Sequence, residues 1–371
     1  MNPQRPVHGE PFQIDADIRR AHTLPSWVYT DPEVFERSRE SVFAPSWQLV
    51  AGLESVSLPG SARPLTVLEG LLDEPIVVTR DERDTLRCLS NVCTHRGNLV
   101  CTQAGRCAQL RCNYHGRRFA LDGSFRSMPE FEETEDFPSP DDDLRPVPCE
   151  ALGAWLFASL KPATAFNELA APVIDRVGFL DMRQMRHEPT RSRDYLVKCN
   201  WALYVENYLE GFHVPFVHDS LAQALDYGSY TTELFKSAVL QLGIAKGAED
   251  CFEIPEGHPD AGRSVAAYYW WLWPNTMLNF YPWGCSVNIV RPLGPALTKV
   301  SFLTYVSDES RLDKGAGAEL DKVEREDEAV VEQVQRGVRS RIYSRGRYSP
   351  TREQGVHHFH RTLAEALFPV R

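Results

Sequence analysis

Two short segments of the chain place a cysteine close to a histidine. His95 follows Cys93 by two residues, and His115 follows Cys112 by three. Together the segments offer two thiolates and two imidazoles, a set of ligands that suits zinc or an iron–sulfur cluster. The sequence therefore predicts a metal centre held by these four side chains.

The way the ligands are divided between the two segments distinguishes a zinc site from an iron–sulfur cluster. Zinc sites usually pair cysteine with cysteine and histidine with histidine. Here each segment supplies one sulfur and one nitrogen, which fits a [2Fe–2S] cluster with one iron bound by two cysteines and the other by two histidines. Gly97 and Gly116 are expected to let backbone N–H groups approach the cluster sulfurs. A structural zinc knuckle is the alternative.

A second group of polar side chains lies further along the chain. As a helix over 199–213, this segment would carry an aromatic, apolar stripe, with Glu206, Glu210 and His213 together on a second face. Pro215 is expected to end the helix, so that His218 returns on a loop within reach of His213. Two histidines and a carboxylate with open positions suit a non-haem iron(II) centre that activates O₂.

The carboxylate ligand is expected from a helix near the C-terminal end. Residues 316–341 carry apolar side chains at helical spacing, and Asp327 falls on the apolar face. Glu324, Glu326 and Glu328 are expected to point elsewhere. Because an aspartate in an apolar stripe needs a metal or a charged partner, a pair with an arginine is the alternative.

Two domains are expected to position these groups. Residues 46–162 show short alternating segments that predict strands and turns, and they contain all four cysteine and histidine ligands of the first centre. An N-terminal helical segment, 1–45, is expected to pack on the second domain, 163–371. Long helices mixed with strands make that domain α+β. The acidic, proline-rich stretch 129–143 is interpreted as a surface loop.

Composition limits the partners and the compartment. A formal net charge of −11 argues against nucleic acid and against an anionic membrane surface. The start of the sequence has no apolar signal segment and no apolar run is long enough to span a bilayer, so a cytoplasmic location with reduced thiols is expected. Cys101 and Cys107 have no histidine at the ligand spacing and are interpreted as bystanders.

The ligand segments resemble those of Rieske non-haem iron oxygenases, specifically the oxygenase component or alpha subunit. Residues 93–97 and 112–116 match the two Rieske motifs, 206–218 matches the mononuclear-iron motif, and Asp327 matches the distal aspartate. The resemblance covers nearly all of 40–371. It implies an N-terminal all-β Rieske domain followed by a helix-grip catalytic domain, in which helices accompany an antiparallel sheet.

The resemblance also implies which side chains bind each metal. Cys93 and Cys112 would bind the outer iron of the [2Fe–2S] cluster, and His95 and His115 the inner iron. The implied ligands of a single mononuclear Fe(II) are His213, His218 and Asp327.

Glu210 occupies the position of the family's bridging acid, which connects a Rieske histidine of one subunit to the iron site of the next. A homotrimer is therefore implied, with His115 of one chain facing Glu210 of its neighbour. Many ring-hydroxylating members have aspartate there, whereas relatives acting on quaternary ammonium compounds have glutamate. Arg117 and Arg118 stand where many members have tryptophan, so the surface near the cluster is left open.

The implied reaction is reductive activation of O₂. Electrons from NADH would pass through a separate flavin reductase to the cluster and then to Fe(II), where O₂ is bound beside the substrate. The chain has no Gly-x-Gly-x-x-Gly segment, so a separate NAD(P)H-dependent reductase with flavin or iron–sulfur groups is the expected partner.

The substrate is expected to be small. The tail 334–361 resembles that of choline, carnitine and glycine-betaine monooxygenases, which favours hydroxylation or N-demethylation of a quaternary ammonium compound. The dense aromatic residues of 268–283 suggest a cage for such a cation, although a role in the core is favoured for most of them. Asn207 and Tyr208 are the candidate substrate contacts.

Other interpretations stay open at this point. One is mono- or dioxygenation of an aromatic or carboxylate-bearing substrate. Another is an electron-transfer Rieske protein without a catalytic iron, which the second ligand set disfavours. A further histidine group in the tail is interpreted as surface or interface residues rather than as a metal site; its members are His357, His358 and His360.

Overall fold

The structure is a computed structural model, and it describes residues 9, 11–247 and 250–369. It divides into two compact units. One is Ala44–Ala163; the other joins the chain up to Phe43 with the chain from Thr164 onward. Some positions of the expected segment 1–45 and of the expected domain 163–371 lie outside the described residues.

The Ala44–Ala163 unit is built of short antiparallel strands. They are β1 (Gln48–Gly52), β2 (Ser61–Val67), β3 (Glu74–Arg80), β4 (Leu86–Ser90), β5 (Gly105–Arg106), β6 (Leu110–Arg111), β7 (Arg118–Phe119), β8 (Phe125–Ser127), β9 (Pro146–Val147), β10 (Cys149–Leu152) and β11 (Trp155–Ala158). The strand orders are β5-β2-β3-β4-β9, β1-β11-β10 and β6-β7-β8. The all-β character expected from the alternating pattern is confirmed.

The core of this unit surrounds the two cysteine ligands predicted for the cluster. Cys93 and Cys112 are buried with Val77, Leu89 and Phe119 from neighbouring strands. Apolar strand residues thus exclude water from the sulfur side of the predicted centre.

The second unit contains one eight-stranded antiparallel sheet. Its strands are β12 (Arg186–His187), β13 (Arg193–Val197), β14 (Thr231–Leu234), β15 (Ala238–Ile244), β16 (Val265–Leu272), β17 (Thr276–Tyr281), β18 (Gly284–Gly294) and β19 (Leu297–Val306). The order is β12-β19-β18-β17-β16-β15-β14, and β13 also pairs with β19. Long runs of this sheet are buried, which explains the apolar and aromatic density of its sequence.

Seven α-helices accompany the strands among the described residues. They are α1 (Pro32–Ser38), α2 (Phe166–Val177), α3 (Trp201–Tyr208), α4 (Val214–Val217), α5 (Asp219–Ala224), α6 (Leu320–Gly337) and α7 (Gln354–Leu367). Helix α3 contacts α6, α7 and β18. An α+β fold is confirmed. Within the part of the chain that the structure describes, no helix is long and apolar enough to cross a membrane.

The helix expected over 199–213 is shorter than predicted. Helix α3 ends at Tyr208, and Leu209 leaves helical geometry. A Cβ at Gly211 would lie 2.8 Å from the ring of Tyr230, so only glycine lets the chain turn this closely against that ring. Pro215 lies near the start of α4 instead of ending a helix.

The buried face of α6 also differs from the expected apolar stripe. Glu324 and Gln335 are buried, whereas Val334 is 42% exposed. Glu324 accepts a hydrogen bond from Tyr204 Oη (2.5 Å), and Gln335 Oε1 accepts one from the backbone N–H of Asn200 (2.6 Å). Because these hydrogen bonds satisfy the two buried side chains, polar residues can occupy positions of α6 where periodicity alone would predict apolar ones.

The three histidines of the tail lie on α7, and the surface interpretation is wrong for two of them. His357 and His360 are buried, and His358 is half-buried. His360 lies 2.6 Å from Tyr348 Oη and 3.0 Å from Glu206 Oε1, while His357 Nε2 lies 2.8 Å from the carbonyl oxygen of Asp15. They therefore join the C-terminal helix to the rest of its unit.

Candidate active site and cluster site

The structure brings the four predicted cluster side chains together on two similar loops. Cys93 and Cys112 are buried, whereas His95 and His115 are half-buried, with ring centroids 4.8 Å apart. The sulfur side therefore faces the protein core and the imidazole side lies nearer to solvent. This burial contradicts the expected positions of the two irons. The iron bound by the cysteines would be the inner one, and the iron bound by the histidines would be the outer one.

Both loops close with the same hydrogen bond. The N–H of Gly97 donates to the carbonyl of Cys93, and that of Gly116 donates to the carbonyl of Cys112, each at 3.0 Å. The φ angles of +72° and +76° lie in the left-handed region that glycine tolerates best. The glycines are therefore required for the turn, and their N–H groups are not directed at sulfur as expected.

Other donors surround the sulfur of Cys112. Asn98 Nδ2 lies 3.4 Å from Sγ, and the backbone N–H groups of Tyr114 and His115 also point towards it. Burial raises the pKa of the Cys112 thiol, but these donors outweigh it and hold the pKa below its ordinary value. Donors that stabilise a thiolate suit a sulfur that binds iron, so the two loops fit a mixed cysteine–histidine [2Fe–2S] cluster.

The second predicted site forms where three separate elements meet. His213 directly precedes α4, His218 lies at the break between α4 and α5, and Asp327 lies in the middle of α6. The Nε2 atoms of the two histidines are 3.2 Å apart, and Asp327 Oδ1 lies 3.1 Å from His218 Nε2 and 3.4 Å from His213 Nε2. The three donor atoms thus converge on one point.

This convergence fits a single metal ion. Adjacent ligands at right angles and about 2.1 Å from a metal are about 3 Å apart, close to the separations of this triad. Within residues 9, 11–247 and 250–369, no other group of three or more such side chains has its ligand atoms close enough together to hold a single metal ion. The partners of the Asp327 carboxylate are His213 and His218, and not an arginine as in the alternative interpretation.

Two further carboxylates orient the histidines. Glu210 Oε1 lies 2.7 Å from His213 Nδ1, and Glu326 Oε2 lies 2.7 Å from His218 Nδ1. A carboxylate that accepts from Nδ1–H leaves the Nε2 lone pair directed at the metal position. Glu326 was expected to point elsewhere, and that expectation is wrong. Glu326 directly precedes Asp327 in the chain, and helical periodicity places adjacent residues on different faces of a helix.

The charges in the site favour a cation between the three ligands. Burial lowers the pKa of His213, but the carboxylates of Asp327 and Glu210 outweigh burial and raise the pKa to about 10. For His218, burial is likewise outweighed by Asp327 and Glu326, so its pKa is raised. The same negative field stabilises a metal ion that takes the place of the protons.

A cavity of about 110 Å³ adjoins the triad. The candidate substrate contacts Asn207 and Tyr208 both line it, although Tyr208 Oη already donates to Asn279 Oδ1 at 2.7 Å. Of the aromatic residues in 268–283, Tyr269 and Tyr281 line the cavity. The other aromatic side chains of that segment are not among its lining residues. Sequence periodicity does not distinguish these two positions, because β16 and β17 are buried along most of their length.

The cavity lining is aromatic and acidic. Besides the two histidines of the triad, it contains six tyrosine and phenylalanine rings: Tyr204, Tyr208, Tyr230, Tyr269, Tyr281 and Phe302. Glu210 and Glu324 also reach it, in addition to the carboxylate of the triad. No lysine or arginine occurs among the described residues that line it.

A cluster-binding β unit and a two-histidine, one-carboxylate site on an α+β unit define the class of Rieske non-haem iron oxygenases. Comparison with family models agrees: 46–138 match the Rieske [2Fe–2S] domain, and 182–368 match the ring-hydroxylating alpha subunit, catalytic domain. The chain belongs to the ring-hydroxylating alpha subunit family. Its cofactors are a Rieske [2Fe–2S] cluster and a mononuclear iron.

Curated relatives are similar over almost the whole chain. Choline monooxygenase of Arabidopsis thaliana is 31% identical, over 96% of this chain and 85% of the relative. The oxygenase subunit of carnitine monooxygenase from Escherichia coli K12 is 30% identical, over 96% and 97% of the two chains. These similarities identify the protein as the oxygenase component of a Rieske system.

Solved structures agree with this family. A quaternary ammonium Rieske monooxygenase described in connection with carnitine oxidation and inter-subunit electron transfer has a TM-score of 0.76 and 26% identity, over 95% of this chain and 97% of that one. Naphthalene 1,2-dioxygenase from Rhodococcus sp. has a TM-score of 0.71 at 18% identity, over 93% and 94% of the two chains. The second likeness shows the fold alone.

Proposed function

We propose that this protein is the terminal oxygenase of a multicomponent system that mono-oxygenates a small quaternary ammonium compound. The observation that carries the substrate class is the composition of the cavity beside the triad. Aromatic faces attract a desolvated cation, and nearby carboxylates stabilise its charge. Tyr269 and Tyr281, with ring centroids 5.9 Å apart, supply the aromatic faces, and Glu210 and Asp327 supply the carboxylates that line the same cavity.

The same cavity disfavours an anionic group near the iron site. A carboxylate taken out of water is stabilised best by a cationic side chain, and the described lining residues include neither lysine nor arginine, whereas the carboxylates of Glu210 and Asp327 would repel it. A carboxylate-bearing substrate would have to keep that group outside this cavity. The similarity to choline and carnitine monooxygenases, and to a quaternary ammonium Rieske monooxygenase, supports a cationic substrate.

The ligands follow from the two sites. We assign His213, His218 and Asp327 to the mononuclear iron, which supplies the chemistry of O₂ activation when bound. The [2Fe–2S] cluster is assigned two thiolate and two imidazole ligands, namely Cys93, Cys112, His95 and His115.

The chain's own residues prepare the site for that chemistry. Glu210 and Glu326 each accept from an Nδ1–H, so both Nε2 lone pairs stay directed at the metal position. Asn207 and Tyr208 line the cavity beside these ligands, where they would fix the position of the substrate. The aromatic lining lowers the local polarity and so strengthens the interaction of the carboxylates with a bound cation.

Mono-oxygenation needs an external electron source. Two electrons and two protons are consumed per O₂, with one oxygen atom entering the product and the other leaving as water. A separate NAD(P)H-dependent reductase would supply the electrons to the cluster. In a homotrimer, His115 of one chain would pass them to Glu210 of the next, and the 2.7 Å contact of Glu210 with His213 would complete the path.

A turnover screen with a surrogate reductase tests this function. Choline, glycine betaine and carnitine are compared with aromatic acids under ¹⁸O₂, and products are followed by mass spectrometry. We expect one ¹⁸O atom in a hydroxylated product of a quaternary ammonium compound, or, for N-demethylation, release of one aldehyde per O₂ consumed, since an aldehyde exchanges its oxygen with water. Coupled turnover of an aromatic acid, with no turnover of any quaternary compound, would refute the substrate class and leave the family assignment unaffected.

A further inference from the structure

Arg117 differs sharply in its environment from the neighbouring Arg118. The Arg117 side chain is only 2% exposed, whereas Arg118 is exposed. The guanidinium of Arg117 lies over three phenylalanine rings, with its Cζ atom 5.7, 5.0 and 5.5 Å from the centroids of Phe119, Phe125 and Phe137. A buried cation of this kind requires a charged partner as well as aromatic faces.

Asp142 provides that partner. Arg117 Nη2 donates to Asp142 Oδ1 at 2.6 Å, and Asp142 Oδ2 accepts from the backbone N–H of Ser139 at 2.7 Å. Asp142 belongs to the acidic stretch 129–143, which the sequence led us to interpret as a surface loop. That interpretation is wrong at this end of the stretch, because Asp142 is tied to the interior of the cluster unit.

The Arg117–Asp142 pair joins the two ligand loops. On one side, Thr94 Oγ1, located between Cys93 and His95, donates to the carbonyl of Asp142 at 2.8 Å. On the other side, the backbone carbonyl of Arg117 accepts from the N–H of Cys112 at 2.8 Å. The two residues of this ion pair are therefore each one hydrogen bond away from a ligand-bearing loop.

We propose that Arg117 and Asp142 form a positioning and charge-compensating pair that sets the reduction potential of the Rieske cluster. Reduction adds one electron, and hence one negative charge, to the cluster without breaking a covalent bond. A nearby buried cation favours this change and a nearby carboxylate opposes it. Arg117 offsets the charge of Asp142, so the cluster stays easier to reduce than it would be beside the carboxylate alone.

The test is a redox titration of the complete, metal-loaded enzyme with dithionite, followed by the Rieske EPR signal. The variants are Arg117→Met, Arg117→Lys, Asp142→Asn and the double variant Arg117→Met/Asp142→Asn. Arg118→Met serves as the matched control, because it removes an arginine from the exposed neighbouring position. Thermal unfolding of each variant is measured in parallel to record the purely structural effect.

We expect Arg117→Met to reduce the equilibrium constant for one-electron reduction at least tenfold, which is 59 mV towards more negative potential. Asp142→Asn should shift the potential in the opposite direction, and Arg117→Lys and Arg118→Met should stay near the parent. The double variant should return towards the parent potential even though it lacks the ion pair.

The sign of the shift in reduction potential distinguishes a charge-compensating pair from a pair that only supports the loops. A purely structural pair would lower thermal stability in both single variants and in the double variant, without opposite shifts of potential. If Arg117→Met does not assemble the cluster, Asp142→Asn decides, because it keeps the size of the side chain and the arginine. An unchanged potential in Asp142→Asn, or shifts of the same sign in both single variants, would overturn the proposal.

Discussion

Glu326 lies 2.7 Å from Nδ1 of His218, on the side of the ring opposite the metal position. Asp327, the next residue of the same helix, lies 3.1 Å from Nε2 of that ring. Two consecutive residues of α6 therefore hold the two nitrogen atoms of one histidine. Glu326 fixes the tautomer, and Asp327 offers its own oxygen at the metal position.

Replacing Glu326 should weaken iron binding at the second site. Without its acceptor at Nδ1, His218 loses its fixed tautomer and orientation, so Glu326→Leu is expected to lower the affinity for Fe(II) about 10- to 100-fold. Competition with a chelator measures this, and the cluster EPR signal should be unaffected. Glu332→Leu is the control, because Glu332 lies on the same helix but accepts from Lys198 N–H at 2.9 Å. Equal iron affinity of the two variants would contradict the role of Glu326.

Replacing Glu210 tests both its orienting contact and the proposed electron path. Glu210 accepts from the backbone N–H of His213 at 3.0 Å and lies 2.7 Å from Nδ1. In Glu210→Gln the amide oxygen can still accept one of these bonds, so both metals should stay bound. Coupled turnover, and the re-oxidation rate of the reduced cluster in the presence of substrate and O₂, should fall about 10- to 100-fold. Unchanged re-oxidation with full iron content would refute the bridging role.

Tyr269 should contribute to recognition of positive charge and not only of shape. Tyr269→Leu is expected to weaken binding of choline by about 2- to 30-fold, the range that corresponds to 0.5–2 kcal/mol for a cation–π contact. The neutral isostere 3,3-dimethyl-1-butanol, which has nearly the same shape, serves as the control ligand. Calorimetric titration of both ligands separates the two effects. An equal loss for both would show that Tyr269 only fills space.

Glu324 should make the stability of the protein depend on pH. Burial raises the pKa of this carboxyl well above 4.5, although the hydrogen bond from Tyr204 opposes the shift. Between the unfolded and folded pKa values the folded state binds more protons, so stability falls as pH rises through this window. Glu324→Gln removes the ionisation, and the melting temperature of the variant relative to the parent should increase from pH 5 to pH 8. A constant difference across this range would contradict the prediction.

The proposed metal ligands could be predicted from the sequence because chemistry restricts their types and their spacing. Cys93, His95 and the triad were predictable from motifs in which few other residues function. Glu326 was missed because helical periodicity sorts residues by apolar faces, and a carboxylate that orients a ligand follows no such pattern. The end of α3 at Tyr208 was missed for a related reason, since the close approach of Gly211 to Tyr230 joins positions far apart in the chain.

The cavity shows the same limit. Tyr269 and Tyr281 share their strands with buried core rings such as Tyr268 and Phe280, and all four have the same aromatic character. Alternation places Tyr269 and Tyr281 on one face of the sheet and Tyr268 and Phe280 on the other, and which face borders the cavity depends on how the helices pack. Composition therefore indicated an aromatic environment, whereas only the three-dimensional structure identifies the two aromatic residues of these strands that line the cavity.

Gly355 should be essential to the packing of α7 against the loop that carries Glu210. A Cβ at Gly355 would lie 2.5 Å from the carbonyl oxygen of Leu209, so Gly355→Ala requires the helix or the loop to shift. We expect a loss of about 1–3 kcal/mol in the free energy of unfolding, typical of overpacking. Because Leu209 adjoins Glu210, iron affinity should fall as well.

Gly337 provides the matched control for this change. It ends α6, and a Cβ there would have no neighbour within 4 Å among the described residues. Gly337→Ala should therefore be neutral or stabilise the protein by up to about 1 kcal/mol through helix propensity, with iron affinity unchanged. Denaturant unfolding and chelator competition on both variants make the comparison. If Gly355→Ala were as stable as Gly337→Ala and bound iron equally well, the close contact between α7 and Leu209 would not constrain the site.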